Sequence, residues 1–396
     1  MKISHEYLSL FDKNLPWIHI VIPGKQLCDQ AKKYVHLWRD YGYSEPPTLG
    51  SLLPHIILAR YVNSHNILIS YVEENVALSD INQISGDFTA DNIFTDWYFS
   101  NVCSLFLICS HFKPVQSLIA QVKGNRLGRG RTKVIELQHG WVVGKQSSLR
   151  RLGSGEELSN PDYYLVADEL SAKHLHLLYD QTNTIVIGDI LLSSQLLRRA
   201  NSKSISDNPL KFHENTSHNL LVCFSERDIE LGYVSKDYLQ LNGKSFPREL
   251  LPLVTTLKGI YGEVTVKMRS KPHQDQSKVK AGFSSVKEQN CISDDLLWAD
   301  SVASALSTVS LSSSYLNIPS YFYISNMSGI HKSLIVNYAH SIFHVNQNID
   351  LGDLESYIHR MNEWPKANSA MRTNKCLNYC RETMINCYQY IDKILS

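Results

Sequence analysis

What most constrains this chain is a rhythm of short apolar runs separated by longer stretches with helical periodicity. A first series comprises residues 17–23 (WIHIVIP), 66–72 (NILISYV), 104–110 (SLFLICS), 133–137 (KVIEL), 163–167 (YYLVA) and 184–187 (TIVI). A second comprises 219–224 (NLLVCF), 263–268 (EVTVKM), 301–305 (SVASA) and 320–324 (SYFYI). Strands that read as near-continuous apolar runs are buried on both faces, and helical stretches between them make parallel βαβ units. The stretches 114–122 and 248–261 read as helices, and 351–395 reads as mostly helical with an interruption near Pro365.

Between the two series, residues 196–218 are dominated by Ser, Asn, Lys, Asp and Pro, without apolar periodicity. That segment reads as a linker. A chain of 396 residues exceeds what one ordinary core serves. The expectation is an α/β protein of two Rossmann-like domains, 1–195 and 219–396, facing each other across a cleft. Ligands would lie beyond the carboxyl ends of the strands.

Composition excludes several classes. Apolar residues at 43% and charged residues at 19% describe an ordinary globular chain rather than a disordered one. A formal net charge of +1 argues against nucleic-acid capture as the main activity. No apolar run approaches the ~20 residues a membrane helix needs, and the first residues lack a secretion signature. The expected location is the cytoplasm. Among eight cysteines, Cys376, Cys380 and Cys387 stand at helical spacing. They read as one packed helix stripe rather than a metal site, since no CxxC or His accompanies them. No metal or cofactor is expected.

Several segments carry candidate chemistry. In Glu136-Leu137-Gln138-His139-Gly140 a strand ends at Leu137, Gly140 permits a tight turn, and His139 has a side chain suited to proton transfer or phosphate binding. Glu136 is either a cleft carboxylate or a buried ion-pair partner. Alternation along the strand 263–268 sends Lys267, Arg269 and Lys271 to one face, a cationic edge for a diphosphate or a solvated strand end. Ser307, Thr308, Ser310 and Ser312 open a helix-like stretch. Hydroxyl residues there either cap the helix or expose its N-terminus to an anion. Glu226, Arg227 and Asp228 follow the first strand of the second series as carboxylate or phosphate-binding groups, or as a surface turn. The glycine-rich loop with Lys123, Arg126, Arg129, Arg131 and Lys133 is suited to an anionic membrane surface or a lipid-linked diphosphate, or is merely solvated.

The run 134–142 (VIELQHGWV) resembles the ELQHG strand-turn of bacterial glycosyltransferases that build capsules and lipopolysaccharide O-antigens. The resemblance extends to the upstream 105–123 (LFLICSHFKPVQSLIAQVK) and to the downstream Asp162 to Asp168 (DYYLVAD) and Ile187-Gly188-Asp189. It is looser from about Leu220 to Ile324, and the first hundred residues match no family. It implies the GT-B architecture, with acceptor chemistry at Glu136 and His139. Donor binding would fall to Gln138, Gly140, Arg227, Lys267, Arg269, Lys271, His273, Ser307, Thr308, Ser310 and Ser312. Related enzymes read His-Pro where this chain has Lys271-Pro272-His273, so Lys271 by register, or else His273, would take the donor phosphate.

Residues 300–319 resemble a donor-binding stretch that starts at Asp300 and closes on Leu316-Asn317-Ile318-Pro319. Many hexose transferases have a Glu shortly after the Ser-Thr pair. Ser312 stands here instead and points to a CMP-activated ulosonic acid such as Kdo or a sialic acid. Where family members often carry His and aromatic residues after the QHG, this chain has Lys145-Gln146-Ser147. The implied partners are a nucleotide-sugar donor and a lipid-linked or polysaccharide acceptor at the inner face of a bacterial inner membrane. The alternatives are a UDP- or GDP-hexose transferase, a polyol-phosphate transferase, a sugar-nucleotide epimerase, or a non-catalytic glycan-binding subunit.

Overall fold

The computed structural model describes residues 17–23, 66–72, 103–108, 132–138, 161–178, 183–190, 192–193, 196–197, 218–224, 234, 238–241, 244–270, 292–305, 307–325, 329–346, 348–362 and 369–396. The chain forms two compact units, Met1–Ser194 with Thr383–Ser396, and Gln195–Glu382. The segment 196–218, read as a linker, falls mostly outside the described residues. At its ends Leu196 is buried and His218 already begins a strand.

The first unit holds β1 (Trp17–Pro23), β2 (Asn66–Val72), β3 (Cys103–Ile108), β4 (Lys133–Leu137), β5 (Tyr163–Val166), helix α1 (Glu169–Leu178) and β6 (Asn183–Val186). The six strands make one sheet in the order β2-β1-β3-β4-β5-β6. Every pairing is parallel. Burial on both faces explains the apolar runs: Val134, Ile135, Glu136 and Leu137 are all buried in succession.

Beyond β6, Gly188 adopts φ +94°, and a Cβ at that position would collide with the Thr383 side chain. Glycine is thus required both for its backbone and for its lack of volume. Asp189 follows and accepts from the Leu192 amide at 3.0 Å, starting the next helical turn.

The second unit opens with β7 (His218–Phe224) and a hairpin of β8 (Tyr238–Leu241) and β9 (Lys244–Pro247), paired antiparallel. A single 3-10 turn (Arg248–Leu250) then leads into α2 (Leu251–Tyr261). The sequence predicts one helix over 248–261, but Pro252 has no N–H for the Arg248 carbonyl. The Leu251 amide closes that turn instead, one residue tighter. Gly262, at φ +78°, ends α2.

The alternation continues through β10 (Val264–Ser270), α3 (Ile292–Trp298), β11 (Ser301–Ser304), α4 (Thr308–Tyr315), β12 (Ser320–Tyr323), α5 (Gly329–Tyr338), β13 (Ile342–Val345), α6 (Leu351–Asn362) and α7 (Ser369–Leu395). The five large-sheet strands lie in the order β10-β7-β11-β12-β13, all parallel. One face packs Leu220, Val222, Val266, Met268, Tyr321 and Tyr323 against Leu253 and Leu257 of α2 and Tyr357 of α6. Each such side chain contributes about 1.5–3 kcal/mol on burial.

Tyr357 ties the layers together. Its hydroxyl accepts from the Ser320 amide at 3.2 Å and lies 3.0–3.1 Å from the Ser320 and Ser341 carbonyls. On α7, Cys376, Cys380, Thr383, Cys387 and Ile391 form a buried stripe. No helix among the described residues is long and apolar enough to cross a membrane.

Candidate functional site

In the second sheet, β7 and β11 are neighbours whose onward connections lead to opposite sides, β7 toward β10 and β11 toward β12. That is the switch point of a doubly wound sheet, and ligands of such sheets lie in the crevice beyond the strand carboxyl ends there. The chain leaves β11 at Ser304 and begins α4 at Thr308. Ser307 between them is the N-cap, extended at φ −129° and ψ 143°, with its hydroxyl accepting from the Val309 amide at 3.3 Å. The Ser310 amide donates to the Ser307 carbonyl at 3.3 Å, and the first turn of α4 brings the positive end of its helix dipole to this end of the sheet.

The serines of α4 divide into two groups. Ser310 is wholly buried, its hydroxyl 2.5 Å from that of Ser304 on β11. Ser313 is likewise buried and lies 2.7 Å from the Ser320 hydroxyl on β12. These small side chains let α4 lie close to the sheet, and their hydroxyls are used in holding it there. The Ser310 side chain thus sits inside the unit, not at a ligand surface. Ser307 stands at the mouth, Thr308 begins the helix, and Ser312 is half-buried on it. At the far end, the Ile318 amide donates to the Ser313 carbonyl and the Asn317 amide to the Ser314 carbonyl, both at 2.9 Å. Asn317 takes φ 56°, the left-handed geometry this helix termination requires.

Lys267 and Arg269 do share a face, as alternation predicts. Both pair with Asp295 of α3, which is almost completely buried. Lys267 also lies 5.5 Å from the centre of the Trp298 ring. Each of the two cations remains about a quarter exposed. Strand register sets Arg269 beside Cys223, and Cys223 beside Ser304. At the usual strand spacing, Arg269 and Ser304 are about 10 Å apart along one row that ends under α4. Burial pushes the Cys223 thiol up to about 12, with Arg269 lowering it and Asp295 raising it by smaller amounts. Lys271, His273, Glu226, Arg227 and Asp228 lie outside the described residues.

In the first unit, Glu136 is wholly buried. Its register neighbour Tyr164 packs with Val166 against Leu175 of α1, so the Glu136 face of the sheet is the face α1 covers. The Glu136 carboxylate therefore lies in the interior of the unit. Gln138 ends β4, and its side chain is committed to the protein. Its oxygen accepts from the Ala167 amide at 2.8 Å, and its nitrogen donates to the Ser171 hydroxyl at 3.0 Å. Gln138 thus stitches the end of β4 to the β5–α1 turn and fixes where the chain leaves the sheet toward His139. His139 and Gly140 themselves lie outside the described residues, as does the loop from Lys123 to Arg131.

The aspartates that carry the resemblance are structural. Asp168 caps α1, accepting from the Ser171 amide at 2.6 Å. Asp162 accepts from the Val134 amide at 2.7 Å and donates its own amide to the Val134 carbonyl at 2.8 Å. In the second unit Asp300 repeats this arrangement with Asn219, at 2.9 and 2.8 Å. Both latch adjacent strands at their amino ends. Asp300 is therefore at the end of β11 opposite the α4 mouth, away from any ligand at the switch point.

No family model matches the chain, and no curated protein matches it. Among solved structures it is similar to the glycosyltransferase of kitacinnamycin, at 10% identity over 97% of this chain and 100% of that one, TM-score 0.46. It is similar to the wall teichoic acid polymerase TagF, at 12% identity over 96% of this chain and 88% of that one, TM-score 0.41. It is also similar to a UDP-GlcNAc 2-epimerase from Neisseria meningitidis bound to UDP-GlcNAc, at 11% identity over 94% of this chain and 100% of that one, TM-score 0.48. Likeness of that degree assigns no activity to this chain.

Proposed function

We propose that this chain is a glycosyltransferase of the GT-B type, transferring a sugar from a nucleotide-sugar donor to a bacterial surface glycan. The observation that carries the reading is the switch point of the second sheet, where β11 leads within three residues into the serine-capped N-terminus of α4. In this reading the α4 backbone and Ser307 receive the donor phosphate. The Lys267–Arg269 cluster, with Lys271 or His273, adds positive potential as negative charge develops on the leaving group. The acceptor belongs to the first unit, where His139 removes the acceptor hydroxyl proton. Glu226 and Asp228 are the rival carboxylates for that step. Glu136, inside the unit, supports the turn rather than touching substrate.

The finer donor reading is a CMP-activated ulosonic acid such as Kdo, because Ser312 stands where hexose transferases have a ribose-binding Glu. Protein dipoles and cations, without a metal, would carry the leaving phosphate. The basic loop around Arg126 and Arg129 would hold the protein against the anionic surface that presents a lipid-linked acceptor.

A thermal-shift panel of CMP, CDP, UDP and GDP, followed by assay of the matching nucleotide sugars, tests this directly. Stabilisation by CMP alone supports the ulosonic-acid donor, UDP or GDP redirects it to a hexose, and CDP to a polyol phosphate. No response to any nucleotide, with no turnover of any nucleotide sugar, rejects the enzyme. His139→Asn is expected to abolish transfer and retain nucleotide binding; retained transfer would remove His139 from the chemistry.

A further inference from the structure

The ion cluster on β10 has members at different depths in the sheet. Lys267 stands beside Leu221 of β7, and Arg269 beside Cys223, the last residue but one of that strand. Arg269 is therefore about 7 Å nearer the carboxyl edge than Lys267. Helix α3, which carries Asp295, runs back toward the amino edge. The carbonyl of its last residue, Trp298, accepts from the Asn219 side chain at 3.1 Å, near the start of β7. Asp295 lies about one turn earlier, toward the carboxyl edge.

Asp295 divides its carboxylate between the two depths. Its Oδ1 accepts from the Lys267 ammonium and its Oδ2 from Nη1 of Arg269. Lys267 is braced on a second side by the Trp298 ring, 5.5 Å away. Arg269 stands on the crevice side of the pair. The Cys223 thiol is raised first by burial, then lowered by Arg269 and raised by Asp295. Both charges thus reach the end of β7, one of the two strands at the switch point, where Cys223 adjoins Ser304.

Apolar contacts would fasten α3 to β10 at least as well as buried charges do. What the shared carboxylate adds is orientation. A guanidinium is planar, so an acceptor on Nη1 sets the plane of the whole group. A long side chain ordered before an anion arrives loses less rotamer freedom on binding it.

We propose that Asp295 is a positioning residue: braced by Lys267, it fixes the Arg269 guanidinium for the donor phosphate, resting on the nucleotide-sugar reading given above. Arg269 then makes the phosphate contact at this rim of the crevice. Lys267 contributes through Asp295 and through its charge at longer range.

The test is a double-mutant cycle by calorimetry on the full chain, with whichever of CMP, CDP, UDP or GDP stabilises it in the panel. Arg269→Gln should weaken nucleotide binding about tenfold or more, the equivalent of one charge-assisted hydrogen bond. Asp295→Asn should weaken it about five- to tenfold, and Lys267→Met about two- to threefold. Arg269→Gln combined with Asp295→Asn should bind within about twofold of Arg269→Gln alone, because the carboxylate acts only through the arginine. A carboxylate that merely fastened α3 would give losses that multiply, and that result overturns the assignment. Unchanged or tighter binding in Asp295→Asn overturns it too, since the carboxylate would then be competing with phosphate. If Asp295→Asn does not fold, Asp295→Glu, which moves the charge by one methylene, takes its place in the cycle. Unaltered binding in Arg269→Gln overturns the arginine contact and leaves the nucleotide reading standing. Absence of nucleotide binding in the unsubstituted chain overturns both together.

Discussion

At the level of single residues, the tightest requirement in the first unit is Gly188. Its backbone lies in the left-handed region, and Thr383 occupies the space a side chain would need. Gly188→Ala is therefore expected to destabilise the chain by about 2–4 kcal/mol, read from the urea midpoint. Thr383→Ala in the same chain should restore only part of the loss, because it relieves the collision and leaves the φ strain. Full recovery would show that the backbone conformation costs nothing. Tyr321 offers the opposite case. Its hydroxyl is buried without a hydrogen-bond partner, within a core of Tyr357, Val222 and Leu257. Tyr321→Phe should leave stability unchanged or raise it by up to about 1 kcal/mol. A clear loss would reveal a partner for that hydroxyl.

At the level of elements, α3 is fastened to β10 by one buried carboxylate and two cations. Removing the carboxylate takes away the buried negative charge that both cations share. Asp295→Ala should cost about 3–5 kcal/mol, whereas Lys267→Met should cost much less, since Arg269 still satisfies Asp295. Equal costs would mean that the pairings are independent. The elements are also where sequence reading succeeds and fails. Each of the ten apolar runs forms a strand, because parallel strands buried on both faces have to be apolar throughout. The hairpin and β13 escape that criterion. Tyr238–Leu241 and Lys244–Pro247 interleave polar residues, although Asn242-Gly243 is a hairpin signal between them. β13 is four residues with a histidine among them.

The site was legible to the same extent. The Ser307 cap and the shared face of Lys267 and Arg269 follow from local periodicity. The burial of Glu136, the pairing with Asp295 and the latches of Asp162 and Asp300 depend on residues 26–81 positions away or on a covering helix, which no local pattern encodes.

At the level of the whole molecule, alkaline pH should be the weak side. Burial raises Cys223 from 9.0 to about 12, Tyr357 from 10.0 to about 12, and Tyr321 well above its ordinary value. Between the ordinary and raised values the unfolded chain has shed protons that the folded chain still holds. Stability fully present below pH 9 should therefore fall as pH rises toward 12. A urea midpoint that does not decline between about pH 8 and about pH 10.5 would contradict this. The course of the chain adds a constraint of another kind. The first unit takes its last piece, Thr383–Ser396, from beyond the whole of the second. On the ribosome the partner that closes over Gly188 is made nearly two hundred residues later, roughly 10–40 s at usual elongation rates. The unit synthesised first is therefore the unit finished last, and through that interval it waits with one wall missing.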